Sequence, residues 1–241
     1  MRVIVCENYD EVSAQAAKII ASQIILKPDC VLGLATGSTP IGTYQKLIEM
    51  NKSGYIDFSE ITTFNLDEYY PIKQSNDQSY NYFMKENLFN HINIDQNKTF
   101  IPNGEAIDAE LECEQYEKKI FEHGGVDLQV LGIGQNGHIG FNEPSENLKS
   151  KTHITELTED TIDANARFFT SRDEVPTKAL TMGISTILSA KTIIILASGK
   201  GKHDVVKELV TEYINTQLPA SILKVHSAVV LICDKAAFEG E

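Results

Sequence analysis

Apolar positions along the chain switch period repeatedly, and the switches predict alternating strands and helices. Residues 2–6 (RVIVC) read as a strand, and 10–25 as an amphipathic helix with Asp10 as its N-cap. A second strand is expected over 30–34, then a turn of small residues and a helix over 41–51. The β-branched run at 61–66 predicts a third strand. Helices fit 79–91 and 108–123, the latter stopped by Gly124-Gly125, since glycine readily closes a helix C-terminus. Strands at 126–133, 192–197 and 228–233, with helices near 177–188 and 203–213, complete the pattern.

This alternation implies a Rossmann-like α/β fold, a mostly parallel sheet with helices on both faces. Ligands in such folds sit at the carboxyl ends of the strands. No internal repeat or Pro/Gly-rich linker divides the 241 residues, so a single α/β domain over 1–241 is expected. Residues 144–173 are polar, strand-poor and rich in Ser, Thr, Glu and Lys, and are expected to form a helical excursion or a lid.

Composition narrows the partners. Hydrophobic residues at 42% and charged residues at 23% match an ordinary globular protein. Apolar runs such as IIIL at 193–196 are too short to span a bilayer, and the opening MRVIV lacks a signal-peptide pattern, so a cytoplasmic setting is expected. The cysteines at 6, 30, 113 and 233 form no C-x-x-C pair and are expected as buried free thiols. The six histidines show no H-x-x-x-H spacing, so no metal site is indicated. A formal net charge of −13 argues against nucleic-acid and membrane partners. An anionic small substrate would require a few basic groups to converge locally.

Three strand ends carry candidate chemistry. LGLATGSTP (32–40) empties a buried strand into Gly, Ser and Thr before a helix with Pro40 at its first position. That turn suits a phosphate, although helix capping by Ser38 or Thr39 would also account for it, and it lacks a P-loop's Gly-Lys-Ser/Thr. FNLDEYY (64–70) sets two adjacent acids after a strand, where a carboxylate can serve as a general base, or simply cap a helix or act as a magnesium-type acid. LGIGQNGHIGFNEP (131–144) contains G-x-G-x-x-G, but Gly140 and Pro144 would interrupt the helix that a dinucleotide site requires. What remains is a glycine-shaped loop bearing Asn136, His138, Asn142 and Glu143. A histidine there can shuttle protons near neutrality, or be an ordinary structural histidine.

LATGSTP (34–40), NLDEYY (65–70) and GIGQNGHIGFNEP (132–144) closely resemble the glucosamine-6-phosphate deaminase family, in its order and at about its spacing. NARFF (165–169) and PAS (219–221) extend the resemblance over nearly the whole chain. The GHIGFNEP block is highly specific, whereas related sugar-phosphate proteins share the ATGSTP turn.

The resemblance implies conversion of glucosamine 6-phosphate and water to fructose 6-phosphate and ammonia, without a metal or organic cofactor. Asp67 matches the base that takes the C2 proton, His138 the group that opens the sugar ring, and Asn136 and Glu143 its assistants. Many relatives carry Asp at position 136. An amide cannot hold charge, so Asn136 is expected to orient His138 by hydrogen bonding. Thr36, Gly37, Ser38, Thr39, Arg167 and Lys202 match the phosphate ligands. Against longer allosteric members, this chain lacks a C-terminal extension and has His153 and Thr155 where they carry basic residues. No activation by N-acetylglucosamine 6-phosphate is therefore expected, and a monomer or homodimer rather than a hexamer.

Two other readings compete. In 6-phosphogluconolactonases, which share the fold, the Gly-His-Thr loop runs into Ser-Leu-Phe-Pro, unlike IGFNEP after His138 here. A lactonase also needs no enolising base at Asp67. A non-catalytic sugar-phosphate sensor would explain the phosphate turn, but not an intact acid, amide and histidine set.

Overall fold

The computed structural model describes residues 1–166 and 171–240. In chain order the strands are β1 (Arg2–Cys6), β2 (Val31–Leu34), β3 (Thr62–Asn65), β4 (Asp67–Tyr70), β5 (Thr99–Phe100), β6 (Leu128–Gly132), β7 (His153–Glu156), β8 (Lys178–Thr181), β9 (Thr192–Ala197) and β10 (Val229–Asp234). The helices are α1 (Tyr9–Leu26), α2 (Ile41–Lys52), α3 (Tyr80–Asn87), α4 (Ala109–Glu122), α5 (Glu159–Ala166), α6 (Ile184–Leu188), α7 (His203–Leu209) and α8 (Lys235–Glu239).

Seven strands form a parallel sheet in the order β1-β10-β9-β6-β2-β3-β5. From β2 the chain winds outward through β3 to β5, then returns to lay β6 on the other side of β2. Neighbours β2 and β6 pair only at Leu32↔Leu128 and Gly33↔Gln129. Their carboxyl ends flank the point where strand order reverses, which is where open α/β sheets bind ligands.

The pleat splits the core into two layers, because successive side chains leave opposite faces of a strand. From β9, Ile193, Ile195 and Ala197 join Tyr116, Ile120, Ile187, Val205 and Leu209 of α4, α6 and α7. Ile194 and Leu196 join Val12, Ile20, Tyr44, Leu47 and Met84 of α1, α2 and α3. Helices therefore cover both faces, and strands buried on both sides read as continuous apolar runs. Among the described residues no helix is long and apolar enough to cross a membrane. All four cysteines are buried and unpaired.

A second, antiparallel sheet of order β4-β8-β7 departs from the sequence expectation. Residues 177–188, expected as one helix, form β8, a break and the short α6. Lys178–Thr181 pairs with strands on both sides, and the tertiary pairing overrides local propensity. At the break, a Cβ on Gly183 would stand 2.3 Å from the Lys151 carbonyl. The strand expected over 61–66 ends at Asn65, and Asp67 opens a strand of the small sheet. The 144–173 stretch holds the short strand β7 as well as α5. The N-cap of α1 is Asn8, whose side chain accepts the Glu11 N–H, so Asp10 lies in the first turn. A small core of Tyr69, Ile72, Phe141, Leu157, Ile162, Val175 and Ala179 packs around this sheet.

Candidate active site

Four adjacent strands, β9, β6, β2 and β3, deliver residues 198–202, 132–144, 35–40 and 66–67 to one edge of the main sheet. At the usual inter-strand spacing that edge spans about 14 Å, the scale of a sugar phosphate and its ligands.

The turn after β2 is shaped by backbone anchoring. The Tyr44 hydroxyl donates to the Ala35 carbonyl. The Tyr9 hydroxyl donates to the Ser38 carbonyl at 3.1 Å and accepts the Gly42 N–H at 2.8 Å. Gly37 sits at φ +89°, a conformation that favours glycine, and lets the chain turn sharply. Pro40 occupies the N-cap of α2 rather than its first helical position. No side chain caps this helix, so the hydroxyls of Ser38 and Thr39 are not drawn into capping. Nor does an acidic residue in the first turn neutralise its positive end. Thr36 and Thr39 are half-buried, Gly37 and Ser38 exposed.

The adjacent acids after β3 have different surroundings. Glu68 is buried and accepts the N–H groups of Tyr69 (2.9 Å), Tyr80 (2.8 Å) and Asn81 (2.9 Å). It ties β4 to the start of α3, although burial still pushes its carboxyl up to about 7. Asp67 is only 6% exposed, and its carboxylate makes no hydrogen bond among the described residues. Burial, then repulsion from Glu68, pushes it up to about 8. A carboxyl in that range suits a general base working near neutrality.

The loop after β6 is a tight turn, and no helix follows it directly. The Gly134 N–H donates to the His138 carbonyl at 2.9 Å, and the His138 ring lies so close that a Cβ at 134 would stand 2.4 Å from it. Nδ1 of His138 lies 3.2 Å from Glu143 Oε1, a contact that becomes an ion pair when the imidazole is protonated. Asn136 Nδ2 donates to Glu143 Oε2 at 2.6 Å, while its Oδ1 accepts the His138 backbone N–H at 3.2 Å. Asn136 therefore holds the loop backbone and Glu143 rather than the imidazole. Thr161 of α5 donates to Glu143 Oε1 at 3.0 Å. Burial would raise the Glu143 carboxyl, but His138, Asn136 and Thr161 together outweigh it and hold it below the ordinary value.

Gly140 joins these two groups. A Cβ there would stand 2.8 Å from Thr181 Oγ1 and 3.4 Å from Asp67 Oδ2, so the loop that carries His138 runs directly over the Asp67 carboxylate. At the other end of the edge, Lys202 donates to the Ile133 carbonyl at 2.7 Å, and burial pushes its ammonium pKa down. Asp234 holds the preceding turn through Ser198 and the Gly199 N–H. Arg167 lies outside the described residues. The pattern of the sequence carried no signal for Thr181, Asp234 or the pinning role of Glu68, because each acts through a partner distant in the chain. Among the described residues no cluster of three or more His, Cys, Asp and Glu side chains could hold a metal ion.

Comparison with known proteins places the chain. The model of the glucosamine-6-phosphate isomerases/6-phosphogluconolactonase family matches residues 7–232. A glucosamine-6-phosphate deaminase of Halothermothrix orenii is 60% identical over 237 residues, 98% of both chains. One from Clostridium botulinum (strain Loch Maree) is 56% identical over 98% of this chain and 97% of its own. A solved structure described as a monomeric glucosamine-6-phosphate deaminase superposes with a TM-score of 0.96 at 49% identity, covering 98% of each chain. A 6-phosphogluconolactonase from Thermotoga maritima, at 22% identity and a TM-score of 0.76 over 97% of this chain and 99% of its own, shares the fold. On this agreement of motifs, sheet order and full-length similarity, the chain belongs to the glucosamine-6-phosphate isomerase/6-phosphogluconolactonase family.

Proposed function

We infer that this chain converts glucosamine 6-phosphate and water into fructose 6-phosphate and ammonia. One observation carries the reading: a desolvated carboxylate, Asp67, with no hydrogen bond among the described residues, lies beneath the loop that bears His138, Glu143 and Asn136. Relatives at 56–60% identity over nearly the full chain bear the deaminase name.

The substrate phosphate would seat on the Thr36–Thr39 turn with Lys202 and Arg167 as its cationic ligands, fixing the sugar for both steps. His138 then takes the proton of the O1 hydroxyl and returns one to the ring oxygen as the C1–O5 bond breaks, giving the open aldehyde. Glu143 stabilises the imidazolium that forms between these transfers. Asp67 removes the C2 proton, giving an enolamine, and its conjugate acid delivers a proton to C1. Water adds to the resulting C2 iminium and ammonia leaves, so atoms balance without an oxidant. The substrate's own ammonium favours the ionised form of Asp67 as it binds. Hydrolysis of a lactone would leave Asp67 without a task.

The same reading extends to the setting: a cytoplasmic, cofactor-independent enzyme of amino-sugar breakdown, including the N-acetylglucosamine route, acting as a monomer or homodimer. A single domain with a lid over 144–173 fits the Thr161 contact to Glu143. Purified protein given glucosamine 6-phosphate should release ammonia and fructose 6-phosphate in equal amounts. Hydrolysis of 6-phosphogluconolactone without ammonia release would move the assignment to the lactonases, and no turnover of either would favour a sensor.

A further inference from the structure

We propose that Thr181 is a positioning residue that sets the spacing between Asp67 and the His138 loop. In the antiparallel pairing of β4 and β8, Thr181 lies directly opposite Asp67, so both side chains leave the same face of the small sheet. Its hydroxyl accepts the Phe141 N–H at 3.1 Å. The next residue repeats the bridge with its backbone. The Met182 N–H donates to the Leu66 carbonyl at 2.8 Å, and the Met182 carbonyl accepts Asn142 Nδ2 at 2.8 Å. Two consecutive residues thus hold Leu66–Asp67 on one side and Phe141–Asn142 on the other.

Gly140 fills the gap between the two sides. Its φ of +57° and the 2.8 Å approach of Thr181 Oγ1 to its would-be Cβ leave no room for a side chain. Thr181, Met182, Asn142, Phe141 and Asp67 are all buried, so water cannot replace a lost partner there without cost. If Thr181 served packing alone, valine, which matches its shape without the hydroxyl, would replace it.

The spacing matters because His138 works at O1 and the ring oxygen while Asp67 works at C2 of the same sugar. A displacement of about 1 Å between reacting groups can cost up to about 100-fold in rate. With the phosphate seated on the 36–39 turn, such a shift falls mainly on proton abstraction at C2 and leaves binding largely unchanged.

The inference rests on the deaminase reading, so the test begins with wild-type ammonia release. An inactive wild type would overturn that reading and this proposal with it. With an active wild type, Thr181→Val should lower kcat about tenfold or more with KM within about twofold, the signature of a lost transition-state interaction. The primary isotope effect on kcat with glucosamine 6-phosphate deuterated at C2 should rise, because enolisation becomes more rate-limiting. Thr181→Ser, which keeps the hydroxyl, should recover most of kcat. Because an isotope effect is independent of the fraction of folded enzyme, partial misfolding cannot mimic this result. Wild-type kcat in Thr181→Val, an unchanged isotope effect, or no advantage of Ser over Val would each overturn the proposal while leaving the deaminase reading intact.

Discussion

Two aspartates at opposite ends of the main sheet are nearly equally buried, yet their surroundings drive them in opposite directions. Asp127, just ahead of β6 at the amino edge, is 3% exposed and Asp67, at the carboxyl edge, 6%. Asp127 accepts Lys27 Nζ and Lys191 Nζ, both at 2.7 Å, and the Val31 N–H at 2.8 Å. Burial would raise its carboxyl, but those three donors outweigh burial and hold it below the ordinary value. Asp67 has no such donors among the described residues, and burial and Glu68 push it up to about 8. Burial alone therefore does not set the direction in which a carboxylate shifts. The supply of cationic donors does, two lysine ammonium groups for Asp127, and the fold places them at the amino edge of the sheet.

The comparison can be broken most decisively at Asp67. Asp67→Asn should reduce ammonia release by about 10³-fold or more, since an amide cannot abstract a proton. The same change should raise the melting temperature at neutral pH. A carboxyl whose folded pKa lies above its unfolded value favours the folded state less and less as pH climbs between the two, and an amide escapes that loss. Each 1 kcal/mol gained would appear as roughly 2–4 °C in Tm for a chain of this size. In the wild type, kcat/KM should fall as pH drops below about 8, where free Asp67 takes up its proton. Lower Tm in Asp67→Asn would contradict the burial cost assigned to the Asp67 carboxylate.

At the far end of the carboxyl edge, Lys202→Met should raise KM roughly 10- to 100-fold with a smaller change in kcat, the expected loss of a charge-assisted contact to phosphate. An unchanged KM in steady-state assays would remove Lys202 from the phosphate site. At the amino edge the effect should be on stability alone. Asp127→Asn should cost about 2 kcal/mol in urea unfolding, below the usual value for a buried pair because Lys27 and Lys191 are 40% and 66% exposed. Its kcat should stay within about twofold of wild type, as expected for a site remote from the chemistry. Because the folded pKa of Asp127 is depressed, its stabilisation is present above the unfolded carboxylate pKa and is lost as pH falls through the folded value. The gap between wild type and variant should therefore close in acid.

The smallest expected effect is none. N-acetylglucosamine 6-phosphate should leave the rate curve hyperbolic and unshifted. Burial pushes His153 down toward its neutral form, and its Nδ1 contacts the Lys151 carbonyl at 2.8 Å, so it offers little charge to an activator phosphate. A sigmoidal curve that the effector makes hyperbolic would refute this.

Much of the main sheet was legible in the chain. The strands at 2–6 and 192–197 match their expected bounds: the second is buried and carries the continuous apolar run of a central parallel strand, whereas the first lies largely exposed at the sheet edge and is marked by its β-branched residues. The small sheet was not legible. The KALT of β8 is too short and too ambiguous in period to outrank the helical pattern around it, and only pairing with β4 and β7 makes it a strand. Asp67, Asn136, His138 and Glu143 stood out because their motifs resemble a known family, while the hydroxyl of Thr181 carries no local signature.

Local pattern alone determined the alternation of buried strands and amphipathic helices, and with it the edge of the sheet where a ligand would sit, because periodicity and turn residues act within a few positions. Only the tertiary structure decided which of two neighbouring acids is anchored by backbone N–H groups, and how the loop after β6 comes to lie over the other. Those properties depend on contacts between segments dozens of residues apart: Glu68 with the first turn of α3, and Thr181 with both Asp67 and Phe141. Solvation and proton affinity arise from such contacts, so the same dipeptide, Asp67-Glu68, yields one carboxylate anchored by three N–H groups and one with no hydrogen bond among the described residues.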